Sequence, residues 1–217
     1  MPQPIIVEDL FELGDWDIQT HDEHITIDNY YKNYDQIVDT FEHMPVEAWK
    51  MSQWTRNWKD YYDCRPAFNN WEPDIIKRDA RLKRINNLIY QFTGAPKINI
   101  EKTLSFNVFK HKKKDVPNYM QHHPHYDVDM VNCLTYIDPH CSGGTAIYTN
   151  TELENKEGAT LLMDIRKYNI DFIVEAKPNR TVIFDGNALH GAYIEDNNVY
   201  HDNWRITQAS ICRLVYE

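Results

Sequence analysis

The sequence predicts an α+β fold: a double-stranded β-helix, or jelly roll, buttressed by N-terminal helices. Three observations carry this. Amphipathic helical periodicity is confined to the first hundred residues. After residue 97 the chain becomes a succession of short, β-branched and aromatic segments. Turn-forming pairs punctuate those segments at intervals short enough for a sandwich or barrel. A length of 217 residues suits one domain. Residues 1–97 are expected to form a helical support and 98–217 the jelly-roll core.

The elements follow in order. Ile5-Ile6-Val7 reads as a short strand, and His24 to Asp28 as another, with Asp28 as a helix cap. From Tyr31 to Met44, Tyr34, Ile37, Val38 and Phe41 recur at helical spacing. Residues 45–72, rich in tryptophan and polar groups, carry no clear pattern. Pro73 suits a first helical position. A helix is expected from Ile75 to Phe92, ended by Gly94 and Pro96. Strands are expected at Asn99–Lys110, Met130–Ile137, Thr145–Thr149, Thr160–Met163, Asp171–Glu175, Thr181–Phe184, Gly191–Ile194 and Arg205–Val215. Gly143-Gly144, Pro178-Asn179, Asp185-Gly186-Asn187 and Asp196-Asn197-Asn198 mark the turns.

Composition narrows the functional classes. With 42% hydrophobic residues the chain can build a core without staples. It lacks an apolar run of about 18 residues, so no membrane span is expected. The start, MPQPIIVEDLFELGDWD, has early acids and no basic segment, unlike a secretion signal, so a cytoplasmic protein is expected. Cys64, Cys133, Cys141 and Cys212 form no C-x-x-C pair and read as reduced thiols. The net charge of −10 repels phosphate backbones, which disfavours nucleic acid as a partner. The run from Lys110 to Lys114 is the local exception. It is either a solvated loop or a rim that attracts an acidic substrate. The tryptophans, mostly N-terminal, read as helix-to-sheet packing.

The chemistry concentrates in His125-Tyr126-Asp127, with His190 and Arg205 far downstream. A histidine and a carboxylate two residues apart share one face of a strand. Joined by a distant histidine, they can hold one face of an octahedral ferrous ion and leave three positions open. An arginine beyond the last histidine suits a dicarboxylate, because its planar fork pairs with a carboxylate through two parallel hydrogen bonds. Asp129 is a rival to Asp127. His122 and His123 read as flanking polar residues, and His21-Asp22-Glu23, a second His-x-acid triplet, as a polar loop.

The order of motifs resembles the iron(II)- and 2-oxoglutarate-dependent oxygenases. The likeness rests on His125-x-Asp127, the Gly143-Gly144-Thr145 turn, the apolar strand Thr181–Phe184 leading to His190, and Arg205-x-Thr207 on the closing strand. It covers roughly residues 101–217 and is nearest to the prolyl-hydroxylase-like branch and to small bacterial and phage oxygenases. The resemblance implies His125, Asp127 and His190 as ligands of Fe(II). It implies Arg205 as the partner of the distal carboxylate of 2-oxoglutarate, with Thr207 as a second hydrogen-bond donor. Arg213 is a less favoured arginine, and Asn107 or Tyr136 could take the place of a tyrosine that some relatives use. The implied reaction uses O2 to hydroxylate a protein side chain, such as proline, or a small metabolite, with succinate and CO2 as co-products. Two other readings stay open. One is a cupin-type metalloenzyme using His123, His125, Asp129 and His190 without 2-oxoglutarate; the other is a jelly-roll binding module without catalysis.

Overall fold

Strand pairing across the whole chain builds two facing sheets. A computed structural model describes residues 10–44, 50–51, 61–63, 83–91, 97–98, 104–111, 117–122, 124–149 and 162–215. In chain order the elements are β1 (Asp17–Thr20), β2 (His24–Asp28), α1 (Tyr34–His43), β3 (Lys50–Met51), β4 (Tyr61–Asp63) and a helix, α2, over 83–91. Then come β5 (Lys97–Ile98), β6 (Leu104–His111), β7 (Met120–His122), β8 (Met130–Tyr136), β9 (Gly144–Tyr148) and β10 (Leu162–Asp164). The chain continues with β11 (Ile170–Glu175), β12 (Arg180–Asp185), β13 (His190–Tyr193), a short helix α3 (Val199–Asp202) and β14 (Arg205–Val215).

The major sheet runs β1-β2-β12-β8-β14-β6-β4-β3, with β5 paired to the end of β14, and the minor sheet runs β11-β9-β13. β7 and β10 form a separate antiparallel pair. Because side chains alternate along a strand, the register fixes two faces of the major sheet. Tyr136 and Val182 and Phe184 project toward the minor sheet and share a cluster with its Ile147 and Val174. The alternate residues Val131, Cys133, Ile183 and Ile206 join a second cluster with Ile37 and Phe41 of α1 and Ile85 and Ile89 of α2. Burying each such side chain stabilises the fold by roughly 1.5–3 kcal/mol relative to exposure.

The first half of the chain is more than a helical support. β2 pairs with β12 over Thr181↔Ile27 to Phe184↔His24, so N-terminal residues extend the major sheet. β3 and β4 extend its other edge through β6. Helix α1 buries Ile37, Val38 and Phe41, the residues whose spacing announced it. Its N-cap is Asn33, however, and Asp28 is no helix cap. The Asp28 carboxylate instead accepts a fork of hydrogen bonds from Arg180, Nε at 2.6 Å and Nη2 at 2.8 Å. Asn179, at φ +61°, closes the same seam: its side chain accepts from the Tyr31 amide and donates to the Tyr31 carbonyl, both at 2.8 Å. The expected strand at Ile5–Val7, Pro73, the helix before residue 83, Cys64 and Lys112–Lys114 lie outside the described residues. Cys133, Cys141 and Cys212 are free thiols. Among the described residues no helix is long and apolar enough to cross a membrane.

The Asp28–Arg180 pair is a stability element with a definite pH signature. The Arg180 guanidinium holds the Asp28 carboxyl below its ordinary value. A carboxyl lowered on folding contributes stability above its unfolded-state pKa and loses it as pH falls through the folded one. Arg180→Ala is expected to cost about 2 kcal/mol at neutral pH, between the ranges for exposed and buried pairs. Urea titrations at pH 7 and at acidic pH check this, because the difference between parent and variant should shrink in acid.

Candidate metal centre

His125 and His190 meet as an antiparallel bridge between segments far apart in sequence. The His125 amide donates to the His190 carbonyl at 2.9 Å and the His190 amide returns the bond at 3.0 Å. Two residues on, the Asp127 amide donates to the Gly186 carbonyl at 2.8 Å. The period of two therefore puts the side chains of His125 and Asp127 on one side, beside His190. A tight turn follows, with Asp129 at φ +58° and the Met130 amide donating to the Asp127 carbonyl at 3.1 Å.

Gly186 makes this approach possible. A Cβ there would lie 2.4 Å from the Asp127 carbonyl oxygen and 2.7 Å from that of Met130, both backbone atoms that cannot rotate away. Gly186→Ala is expected to destabilise the fold by about 1–3 kcal/mol, the usual range for overpacking. It should also displace Asp127. Denaturation midpoints and Mn(II) titration of the variant check the two effects.

The three side chains offer ligand atoms that all lie within 4.8 Å of one another. Asp127 Oδ2 is 3.4 Å from His190 Nε2 and 3.9 Å from His125 Nε2. The imidazole rings are 4.5 Å apart at 53°. Exposure falls across the set: the side chains of His125, Asp127 and His190 are 42%, 22% and 5% exposed, so the cluster opens on the His125 side.

Neighbouring groups orient each member. His190 Nδ1 lies 2.8 Å from the Ala188 carbonyl, which only accepts, so Nδ1 carries the proton and Nε2 keeps a lone pair. The edge of Phe184 packs on the ring at 4.8 Å. Asn132 Nδ2 donates to Asp127 Oδ2 at 2.8 Å and lies 3.1 Å from His190 Nε2. Burial pushes the Asp127 carboxyl up. The hydrogen bond to His190, the two imidazole charges and the Asn132 amide outweigh that, leaving it at about 2. The carboxylate is thus ionised throughout the neutral range.

Two neutral imidazoles and a carboxylate are the donor set that a divalent transition metal takes, and together they leave it a net charge near +1. The pairs stand at distances that small side-chain shifts would close onto one ion. The buried Asn132 Oδ1 beside them has no partner. By donor type, spacing and the orphaned oxygen, the residues fit such an ion.

The expected anion-binding residues share the inter-sheet face. Arg205 opens β14, and its Nη1 donates to Thr207 Oγ1 at 3.1 Å. Both residues are buried, at 6% and 7% exposure, so Arg205 is not a surface ion-pair partner of Asp202 or Glu195. Thr207 stands opposite Tyr136. The Tyr136 hydroxyl is engaged with Thr145 Oγ1 at 2.7 Å, and burial pushes it up to about 12. Asp138, fully buried, lies near enough to Arg205 for its charge to oppose the upward push of burial on the Asp138 carboxyl. Arg213, on the same strand parity, is exposed. Asn107 stands opposite Ala209 in register; its side chain lies outside the described residues.

The rival assignments fare differently. Asp129 is exposed, accepts its local turn, and is not among the converging residues. His123, which the cupin-type set requires, lies outside the described residues. His21-Asp22-Glu23 forms the β1–β2 hairpin turn, with His21 stacked on His24 at 4.3 Å. Asn132 and Gly186 were not singled out from sequence. The available signal for Asn132 was a primary amide at the inward parity of an otherwise apolar strand. A separate cleft of about 490 Å³, lined by Tyr119, Arg166, Tyr168, Tyr193 and Glu195, does not include the histidines or Asp127.

No protein-family profile and no curated sequence matches the chain. Its fold does match solved structures. The non-haem α-ketoglutarate-dependent epimerase SnoN of nogalamycin biosynthesis superposes with a TM-score of 0.57 at 10% identity, over 88% of this chain and 78% of that one. The carbocyclase SnoK of the same biosynthesis gives 0.51 at 12% identity, over 88% and 79%. HygX from Streptomyces hygroscopicus, solved with nickel, 2-oxoglutarate and hygromycin B, gives 0.51 at 11% identity, over 89% and 84%. At such identities the likeness establishes the shared fold.

Proposed function

We propose that this chain is an Fe(II)- and 2-oxoglutarate-dependent oxygenase, with His125, Asp127 and His190 as the iron ligands. The observation that carries the reading is the convergence of those three ligand atoms within 4.8 Å on a fold shared with enzymes of this type. SnoN has been solved with Fe3+ and α-ketoglutarate, and HygX with nickel and 2-oxoglutarate. When bound, iron with 2-oxoglutarate would activate O2 and oxidise a substrate C–H bond, releasing succinate and CO2.

The chain's own residues divide the work. His190, locked by Ala188, presents a fixed lone pair from the dry wall of the site. Asp127 supplies the negative charge, and His125 closes the set on the open side. Arg205 would receive the distal carboxylate of 2-oxoglutarate, with Thr207 steadying the guanidinium and donating to the same anion. Asn132 and Tyr136, four residues apart on one face of β8, mark the two ends of that space, about 13 Å apart along the strand. An arginine side chain and a five-carbon diacid together bridge such a span.

For the prime substrate we favour a small molecule over a prolyl side chain. The neighbours solved with substrates hold compact natural products, nogalamycin RO in SnoN and hygromycin B in HygX. The wide exposure of His125 leaves the approach to the cluster open on one side. Hydroxylation is the proposed outcome.

The test needs no substrate. Anaerobic Fe(II) protein should develop a visible charge-transfer band on addition of 2-oxoglutarate, and admission of O2 should yield succinate. A cupin-type enzyme would bind iron but give neither response. A binding module would bind no iron at this cluster.

A further inference from the structure

Asn132 is a primary amide in the middle of an apolar strand, 2% exposed, and a group so buried is costly unless its hydrogen bonds are made. Only half of this amide is satisfied. Nδ2 lies at 2.8 Å from Asp127 Oδ2 and 3.1 Å from His190 Nε2, whereas Oδ1 has no partner. Flipping the amide would set its oxygen against the Asp127 carboxylate, so the present orientation is the favourable one. The neighbours across the sheet, Phe184 and Ile211, offer Oδ1 no donor from their side chains.

Resting on the metal reading above, we propose that Asn132 is the positioning residue of this centre. Its amide fixes the rotation of the Asp127 carboxylate, so that one lone pair of Oδ2 is taken and the other stays turned toward the imidazoles. A second N–H rests against the lone pair of His190 that an ion would claim, which keeps the three ligands gathered before the ion arrives. Loading the ion breaks the amide–imidazole contact and keeps the amide–carboxylate one. The charge-assisted bond to the carboxylate is roughly twice as strong as a neutral one, so the net effect of Asn132 is to favour binding. Oδ1 then serves as an acceptor for a hydrogen-bond donor that accompanies the ion, a water molecule being the simplest.

The experiment is Co(II) titration of the full chain, read by the visible absorption of the bound ion, with Asp127→Ala as the reference for loss of a ligand. Asn132→Leu and Asn132→Ala should fold like the parent by circular dichroism. They should bind Co(II) about 10–100-fold more weakly, the usual cost of losing a partner of a metal ligand, and show an altered band. A purely structural role would lower the melting temperature and leave the band unchanged. Parent-like affinity and band in either folded variant would overturn the role of Asn132. A parent without any Asp127-dependent band would overturn the metal reading itself, so the two failures are distinct. If both variants fail to fold, the side-chain amide resonances of Asn132 in the parent decide. They should shift in step with Zn(II) binding, and unmoved resonances at saturation would refute the proposal.

Discussion

Asp127→Ala is expected to weaken Mn(II) or Fe(II) binding by more than about 100-fold, because even the outer partners of metal ligands contribute 10–100-fold. Turnover should fall to background with it. The carboxylate is the one anionic member of the set, and it also holds the Asn132 amide at 2.8 Å. Asp127→Asn separates charge from shape: it keeps the volume and one acceptor but removes the charge. It should recover the fold without recovering tight metal binding. Isothermal titration of both variants beside the parent reads the effect. Parent-like affinity in Asp127→Ala would remove this residue from the ligand set.

Arg205→Ala should act on the other end of the cavity. Arg205 is buried, its guanidinium spends one N–H on Thr207, and no carboxylate lies within ion-pair distance of it among the described residues. Truncating one member of a buried, hydrogen-bonded charge pair costs about 2–5 kcal/mol. The apparent affinity for 2-oxoglutarate should therefore drop by roughly 30-fold or more. Metal affinity should stay near that of the parent, because the arginine is not among the converging ligands. Arg205→Lys keeps the charge and loses the fork, so it should fall between the two. A titration of the charge-transfer band with 2-oxoglutarate measures this directly. Unchanged 2-oxoglutarate dependence in Arg205→Ala would reject the assignment.

The centre was legible where its geometry is local. His125 and Asp127 are two residues apart, and a period of two is enough to place them on one side. The strand before His190 and the closing strand from Arg205 carry their own β pattern, and β14 spans the expected residues Arg205–Val215. Legibility ended where the deciding contact is distant in sequence. Asp28 looks like a helix cap because it precedes an amphipathic helix, yet Arg180 claims its carboxylate across the sheet. Gly186 looks like an ordinary turn glycine, and only the packed structure reveals the Asp127 and Met130 carbonyls against it. Asn132 is one polar residue in a strand until the register turns it toward Asp127. The short strands β1, β3, β4, β5 and β7 span four residues or fewer, too few for alternation to announce them. β1 is moreover exposed along its whole length, so it has no apolar face to signal.

The most direct measurement is the anomalous scattering of a crystal soaked with Mn(II) and N-oxalylglycine, an unreactive mimic of 2-oxoglutarate. The expected result is one manganese peak bonded to His125, Asp127 and His190, with the distal carboxylate of the mimic on Arg205. Manganese bound elsewhere, or a crystal with the three side chains intact and no peak between them, would contradict it.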